Sequence, residues 1–113
     1  LLMTPAKGDH QVSPLTNEVL ARSDFGIPLL ANYDDERTPF ACPQATYPHV
    51  GSGIMLFDFG NEWPWPGNRQ TNDAGIDPHE SPRRSAAHNQ ALVHFLDTGE
   101  ILDVCGGDGC HPN

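Results

Sequence analysis

The run GIMLFDF, Gly53 to Phe59, most constrains what this chain can become. It is apolar, bounded by glycines and of strand length, so it reads as a core β-strand. Leu1 to Thr4 reads as a second buried strand that ends at Pro5, and IPLLA, Ile27 to Ala31, as a third extended segment because Pro28 opposes helix. Between these runs stand repeated helix-start signals. Ser13 suits an N-cap and Pro14 the first helical position, where a missing N–H costs nothing. The helix is predicted to run to about Ser23, with Leu15 and Val19 on one face and Gly26 closing the unit. Ser81-Pro82 repeats the signal and opens a helix to about Asp97, in which Ala87, Ala91, Leu92, Phe95 and Leu96 form an apolar stripe and Gly99 is the stop. Strands interleaved with helices predict an α/β layer architecture rather than a β-sandwich.

The remaining chain is punctuated by eleven Gly and eleven Pro, concentrated in the middle and at the end, where long loops are expected. Residues 33 to 50 hold three prolines and a charge cluster and read as loop. NEWPWPGN sets Trp63 and Trp65 around Pro64, aromatics suited to the rim of a cleft. With 37% hydrophobic residues in 113, the core is modest, so a partner surface is expected. The chain opens directly in the apolar run LLMTP, which predicts a processed or truncated polypeptide whose earlier part lies elsewhere.

Charge and cysteine usage narrow the class. A formal net charge of −9 with only six Lys plus Arg argues against nucleic acid or anionic lipid as the main partner, since both need a basic surface. No apolar run reaches the roughly 20 residues of a membrane span. CGGDGC sets Cys105 and Cys110 around four small residues and reads as a disulfide that pins residues 100–113 to a domain spanning 1–99. A loop that short contributes about 2 kcal/mol on the chain-entropy model. Such a pair implies an oxidising compartment, extracellular or periplasmic. Cys42 is then either a buried free thiol or the partner of a cysteine outside the chain.

LLMTPAKGD places Asp9 in the loop after the first strand, and DPHESP places His79 after the last predicted strand, just before the C-terminal helix. In this order the chain resembles the C-terminal end of an α/β-hydrolase, over most of residues 1 to about 100. In that superfamily the acid follows a late strand, the histidine precedes the last helix, and the nucleophile comes earlier. The resemblance implies an esterase- or lipase-like enzyme with Asp9 as acid and His79 as general base, and no cofactor or metal. The nucleophile elbow G-x-S-x-G is absent, because VGSGI gives Ser52 the wrong spacing, and so is the glycine-rich oxyanion segment. The resemblance therefore implies that another polypeptide or an N-terminal segment completes the sheet and supplies the serine, and that this chain alone is inactive.

The residue types fit that chemistry. A serine hydroxyl is a weak nucleophile until an imidazole takes its proton, and the imidazole needs a carboxylate on its other nitrogen to fix its tautomer. Plainer roles stand beside these. Asp9 after Gly8 fits a turn, and His79 a polar loop residue before a helix. Asp77 is an alternative partner for His79 but reads better as a loop-stabilising carboxylate. His10 neighbours Asp9 with its side chain directed elsewhere; His88 and His94, six residues apart, read as surface or packing residues. Glu80, Arg83 and Arg84 could pair with loop residues; the two arginines, in a first helical turn, oppose the dipole, which hints at an anionic partner for one of them, but they read better as a solvated surface pair. The rival classes are a disulfide-pinned binding module that uses the NEWPWPGN aromatics, and a metal or haem protein. For the last, Asp103, Asp108 and His111 could hold a cation near the tail, but their spacing is unlike known calcium or zinc loops.

Overall fold

The computed structural model describes residues 1–31, 33, 42–63 and 75–106. Its main element is a four-stranded parallel sheet built from β1 (Leu2–Met3), β2 (Leu29–Leu30), β3 (Gln44–Ala45) and, after strand β4 (His49–Val50) of a second sheet, β5 (Gly53–Ile54), in the order β1-β5-β2-β3. Parallel strands need crossovers, and helix α1 (Leu15–Leu20) supplies the one from β1 to β2. Beyond the named strands the β1–β5 ladder continues: Met55 N–H donates to the Met3 carbonyl and Phe57 N–H to that of Pro5, both at 2.9 Å. Lys7 N–H then donates back to the Phe57 carbonyl at 2.8 Å. The two longest apolar runs of the sequence therefore lie side by side, and the loops that follow them leave the same end of the sheet.

The fold class is α/β, as the interleaved pattern predicts. Side chains alternate across the sheet and make two cores. Met3, Ile54, Leu56, Leu29 and Ile27 pack with Ala21 and Tyr33, while Leu30, Met55 and Phe57 pack with Ala91 and Ile101. Near-continuous apolar runs are what a parallel strand covered on both faces requires. Burying Phe57 completely is worth about 2–3 kcal/mol, and its ring also meets Phe59 and His88.

Both helix starts fall near their Ser-Pro signals, with differences that have local causes. Helix α1 begins one residue later than expected, although Ser13 Oγ still accepts from Leu15 N–H at 3.3 Å. A π-helical turn, Ala21–Phe25, then carries the segment to Gly26, which takes φ 58°. The C-terminal helix is not continuous. α2 (Ser81–Arg84) ends at Ser85, which is extended (ψ 132°) and starts α3 (Ala86–Thr98) by accepting from His88 N–H at 3.3 Å. Ser85 is thus a second N-cap inside what reads as one helix. In α3 Ala91 is buried and Ala87 and Phe95 flank the core, while Leu92 and Leu96 of the expected stripe are exposed.

Residues 33–50 are not simply a loop, because β3 and β4 lie within them. β4 pairs antiparallel with β6 (Glu100–Ile101), and Ile101 is fully buried. The chain past Gly99 therefore begins by contributing to the core. No helix among the described residues is long and apolar enough to cross a membrane.

Candidate functional site

Asp9 and His79 meet. His79 Nδ1 and Asp9 Oδ2 are 2.9 Å apart although the residues are 70 positions apart in the chain. Each stands in a loop that follows one of the paired strands β1 and β5, which is why the two loops converge. Asp9 is 7% exposed and its other oxygen, Oδ1, accepts from Gln11 N–H at 2.7 Å and Val12 N–H at 2.9 Å. An aspartate that accepts from the backbone two and three residues ahead makes a local turn. The turn expected of Gly8-Asp9 and the contact with His79 therefore coexist, because they use different oxygens. Three hydrogen-bond partners on a buried carboxylate fix its orientation.

The same device recurs in the second loop. Asp77 Oδ1 accepts from His79 N–H at 3.0 Å, and also from His10 N–H at 3.3 Å, while its Oδ2 accepts from Gln11 Nε2 at 2.8 Å. The Gln11 amide, then the His79 and His10 N–H groups, hold the Asp77 carboxyl below the usual carboxylate value. Asp77 is thus not the ring partner of His79. It is a loop-stabilising carboxylate that reaches across to the first loop as well.

With Nδ1 taken by Asp9, the chemistry of His79 lies at Nε2. Its nearest ionisable neighbour is Glu80 Oε1 at 3.9 Å, beyond hydrogen-bonding reach. Glu80 is instead engaged by Arg83, whose Nη1 lies 3.2 Å from Oε1, in an exposed surface pair. His79 opens on a cavity of about 330 Å³ lined also by Thr4, Asp9, Asn17, Arg83 and His88. An acid–imidazole pair with one ring nitrogen free beside a cavity can accept and return a proton at Nε2. No serine among the described residues is hydrogen-bonded to it. Ser52 sits at the opposite end of the sheet, ahead of β5, where its Oγ meets the Leu1 amine at 2.8 Å.

His88 is the member of this site that the helical spacing misses. It stands three residues before buried Ala91 on α3 and so faces inward, where Nε2 lies 3.1 Å from Thr4 Oγ1 and the ring meets Phe57 edge-on at 5.4 Å. Burial lowers its pKa from 6.5, with the Arg83 charge acting in the same direction. A histidine whose folded pKa is depressed contributes stability that is present above 6.5 and lost as the pH falls toward the lowered value, because the unfolded chain then binds more protons. Urea unfolding at pH 7 and pH 5 should therefore show a larger acid loss for the wild type than for His88→Leu. Equal losses would mean that the ring is not held neutral by its surroundings.

The other sequence candidates fall elsewhere. His94 pairs with Glu100 at 3.0 Å, and His10 contributes its backbone N–H. Trp63 packs its ring 5.9 Å from Tyr33 and sits 5.7 Å from Lys7 Nζ, so it lies against a core rather than on an open contact face. Trp65, Asp108, Cys110 and His111 lie outside the described residues, and with them the Cys105–Cys110 pairing and the tail cation site. Asp103 Oδ1 accepts from Cys105 N–H at 3.0 Å, and no metal-ligand cluster occurs among the described residues. Cys42 is a free, half-buried thiol whose pKa is raised by burial. No family model, curated protein or solved structure matches the chain.

Proposed function

We propose that this chain is the C-terminal part of an α/β-hydrolase-type serine esterase or lipase, in which Asp9 is the acid and His79 the general base. The observation that carries the reading is the 2.9 Å Asp9–His79 contact, made between loops at the ends of two hydrogen-bonded parallel strands. The reaction is acyl transfer to water. A serine outside these 113 residues attacks the ester carbonyl while its proton moves to His79 Nε2. The imidazolium, held by Asp9 at Nδ1, then protonates the departing alcohol, and the same nitrogen activates the water that releases the acid.

The proposed remainder of the hydrolase needs a sheet edge to join. In the β1–β5 ladder the carbonyls of Leu1 and Met3 accept from β5, so Leu2 and Thr4 turn their backbone groups to the other side. No strand pairs with that side among the described residues. The cavity beside His79 is lined by Thr4, Pro5 and Ala6 in succession, and so runs along this edge. A strand added there by the rest of the hydrolase brings its following loop toward His79. The Cys105–Cys110 pairing read from the sequence sets this enzyme outside the reducing cytoplasm.

A fluorophosphonate probe applied to the complete protein should label one serine, and mass spectrometry should place it outside residues 1–113. The same protein should hydrolyse p-nitrophenyl butyrate. A complete protein that takes no label and cleaves neither short- nor long-chain p-nitrophenyl esters would remove the hydrolase reading and leave the binding module.

A further inference from the structure

We infer that Asp77 is a positioning residue for the Asp9–His79 pair, a carboxylate strap that ties the two loops together so that the imidazole stays on its acid. The inference rests on the triad reading for its meaning in catalysis, but its geometry is independent of that reading. Lys7 ties the start of the first loop to Asp58, but at the site itself the Asp9–His79 bond must persist while His79 gains and loses a proton. Asp77 provides a parallel connection that does not titrate with it. One oxygen holds the backbone of both loops, at His79 N–H and His10 N–H, and the other holds the Gln11 side chain. Gln11 in turn gives its backbone N–H to Asp9 Oδ1. The result is a closed ring of bonds, from His79 to Asp9 to Gln11 to Asp77 and back to His79, with each carboxylate bridging the loops. Such a ring restricts the imidazole's orientation as well as its distance, which a single bond does not.

The arrangement separates two ways in which a carboxylate near a histidine can act. Asp77 touches the His79 backbone and not the ring, so its removal should loosen the ring without altering the ring's chemical partner. Asp77→Ala deletes all three acceptor contacts. Asp77→Asn keeps an oxygen for the two backbone N–H groups, and a turn of the Gln11 amide restores the third bond.

The test uses proton NMR and kinetics of the complete protein. In Asp77→Ala, the low-field resonance of the His79 Nδ1 proton should broaden or vanish, and exchange of the His79 and His10 amide hydrogens should speed at least tenfold. In Asp77→Asn both should stay near wild type. In the complete protein, Asp77→Ala should lower kcat by roughly tenfold with KM little changed, as loss of a positioning contact does, and Asp77→Asn should recover it. Should Asp77→Ala fail to fold, Gln11→Ala, which removes the side-chain arm alone, should show the same broadening in milder form. A folded Asp77→Ala or Gln11→Ala with the resonance and both amide rates unchanged would overturn the strap. An unchanged resonance beside activity that still depends on His79 would overturn it while leaving the triad intact. A complete protein without esterase activity would remove the triad while the NMR still decides the strap.

Discussion

Replacing His79 by alanine in the complete protein should lower kcat/KM for ester hydrolysis by about 10³-fold or more, with the protein folded as before. His79 is 22% exposed at its side chain and stands in a loop, so its truncation removes little core area. Activity near wild type would sink the assignment of the general base. Asp9→Asn should cost nearly as much, and for a different reason. Asp9 Oδ1 is fixed by the N–H groups of Gln11 and Val12, which demand an acceptor. An asparagine side chain therefore leaves its oxygen on those donors and turns its NH₂ toward His79 Nδ1. The ring must then accept at Nδ1 and carry its proton at Nε2, the tautomer that cannot act as a base there. The fold is preserved while the proton sits on the wrong nitrogen, so the loss should appear in kcat rather than in thermal stability. A variant of Asp9 that lost stability but kept its specific activity would show that the residue only shapes the turn.

The parts of the fold that were legible share one property: their signal is local and strong. The apolar runs at 1–4 and 53–59 form the paired strands β1, at the sheet edge, and β5 beside it, and each Ser-Pro falls within a residue or two of a helix start. The convergence of Asp9 with His79 followed from them, because loops after neighbouring parallel strands leave the same edge. What escaped notice depends on partners distant in sequence. β3, β4 and β6 are two residues long, and Gln44–Ala45 is extended only because β2 offers its edge. Ser85 carries a cap signal, yet a serine in an apolar-periodic run gives no warning that the helix restarts. Within α3 the buried face runs through His88, Ala91 and Phe95, at i, i+3 and i+7, so Leu92 and Leu96 fall outside it and His88 lines the cavity. Asp77 was legible as a loop residue, but nothing local to DPHE discloses that it also binds His10 and Gln11, 67 and 66 positions away.

Gly8→Ala should be the most damaging single-methyl change near the site, costing about 3 kcal/mol and lowering the melting temperature by roughly 10–15 °C. Two effects add. Gly8 has φ +71°, a left-handed conformation that costs an alanine about 1 kcal/mol. An added Cβ would also lie 2.6 Å from Asn61 Cβ and 2.7 Å from the Glu62 carbonyl oxygen. Neither neighbour can swing away cheaply, since one is backbone and the other is the first atom of a side chain whose amide is tied to the Ile76 carbonyl at 2.9 Å. Relief must come from moving residues 8–12 or 61–62, and the first of these carries Asp9. Gly26→Ala is the control: its φ is +58°, but nothing lies within 4 Å of the added carbon, so only the conformational cost applies. Denaturant unfolding should therefore separate the two variants by about 2 kcal/mol. Equal losses would mean that the first loop does not press on residues 61–62 as closely as these distances require.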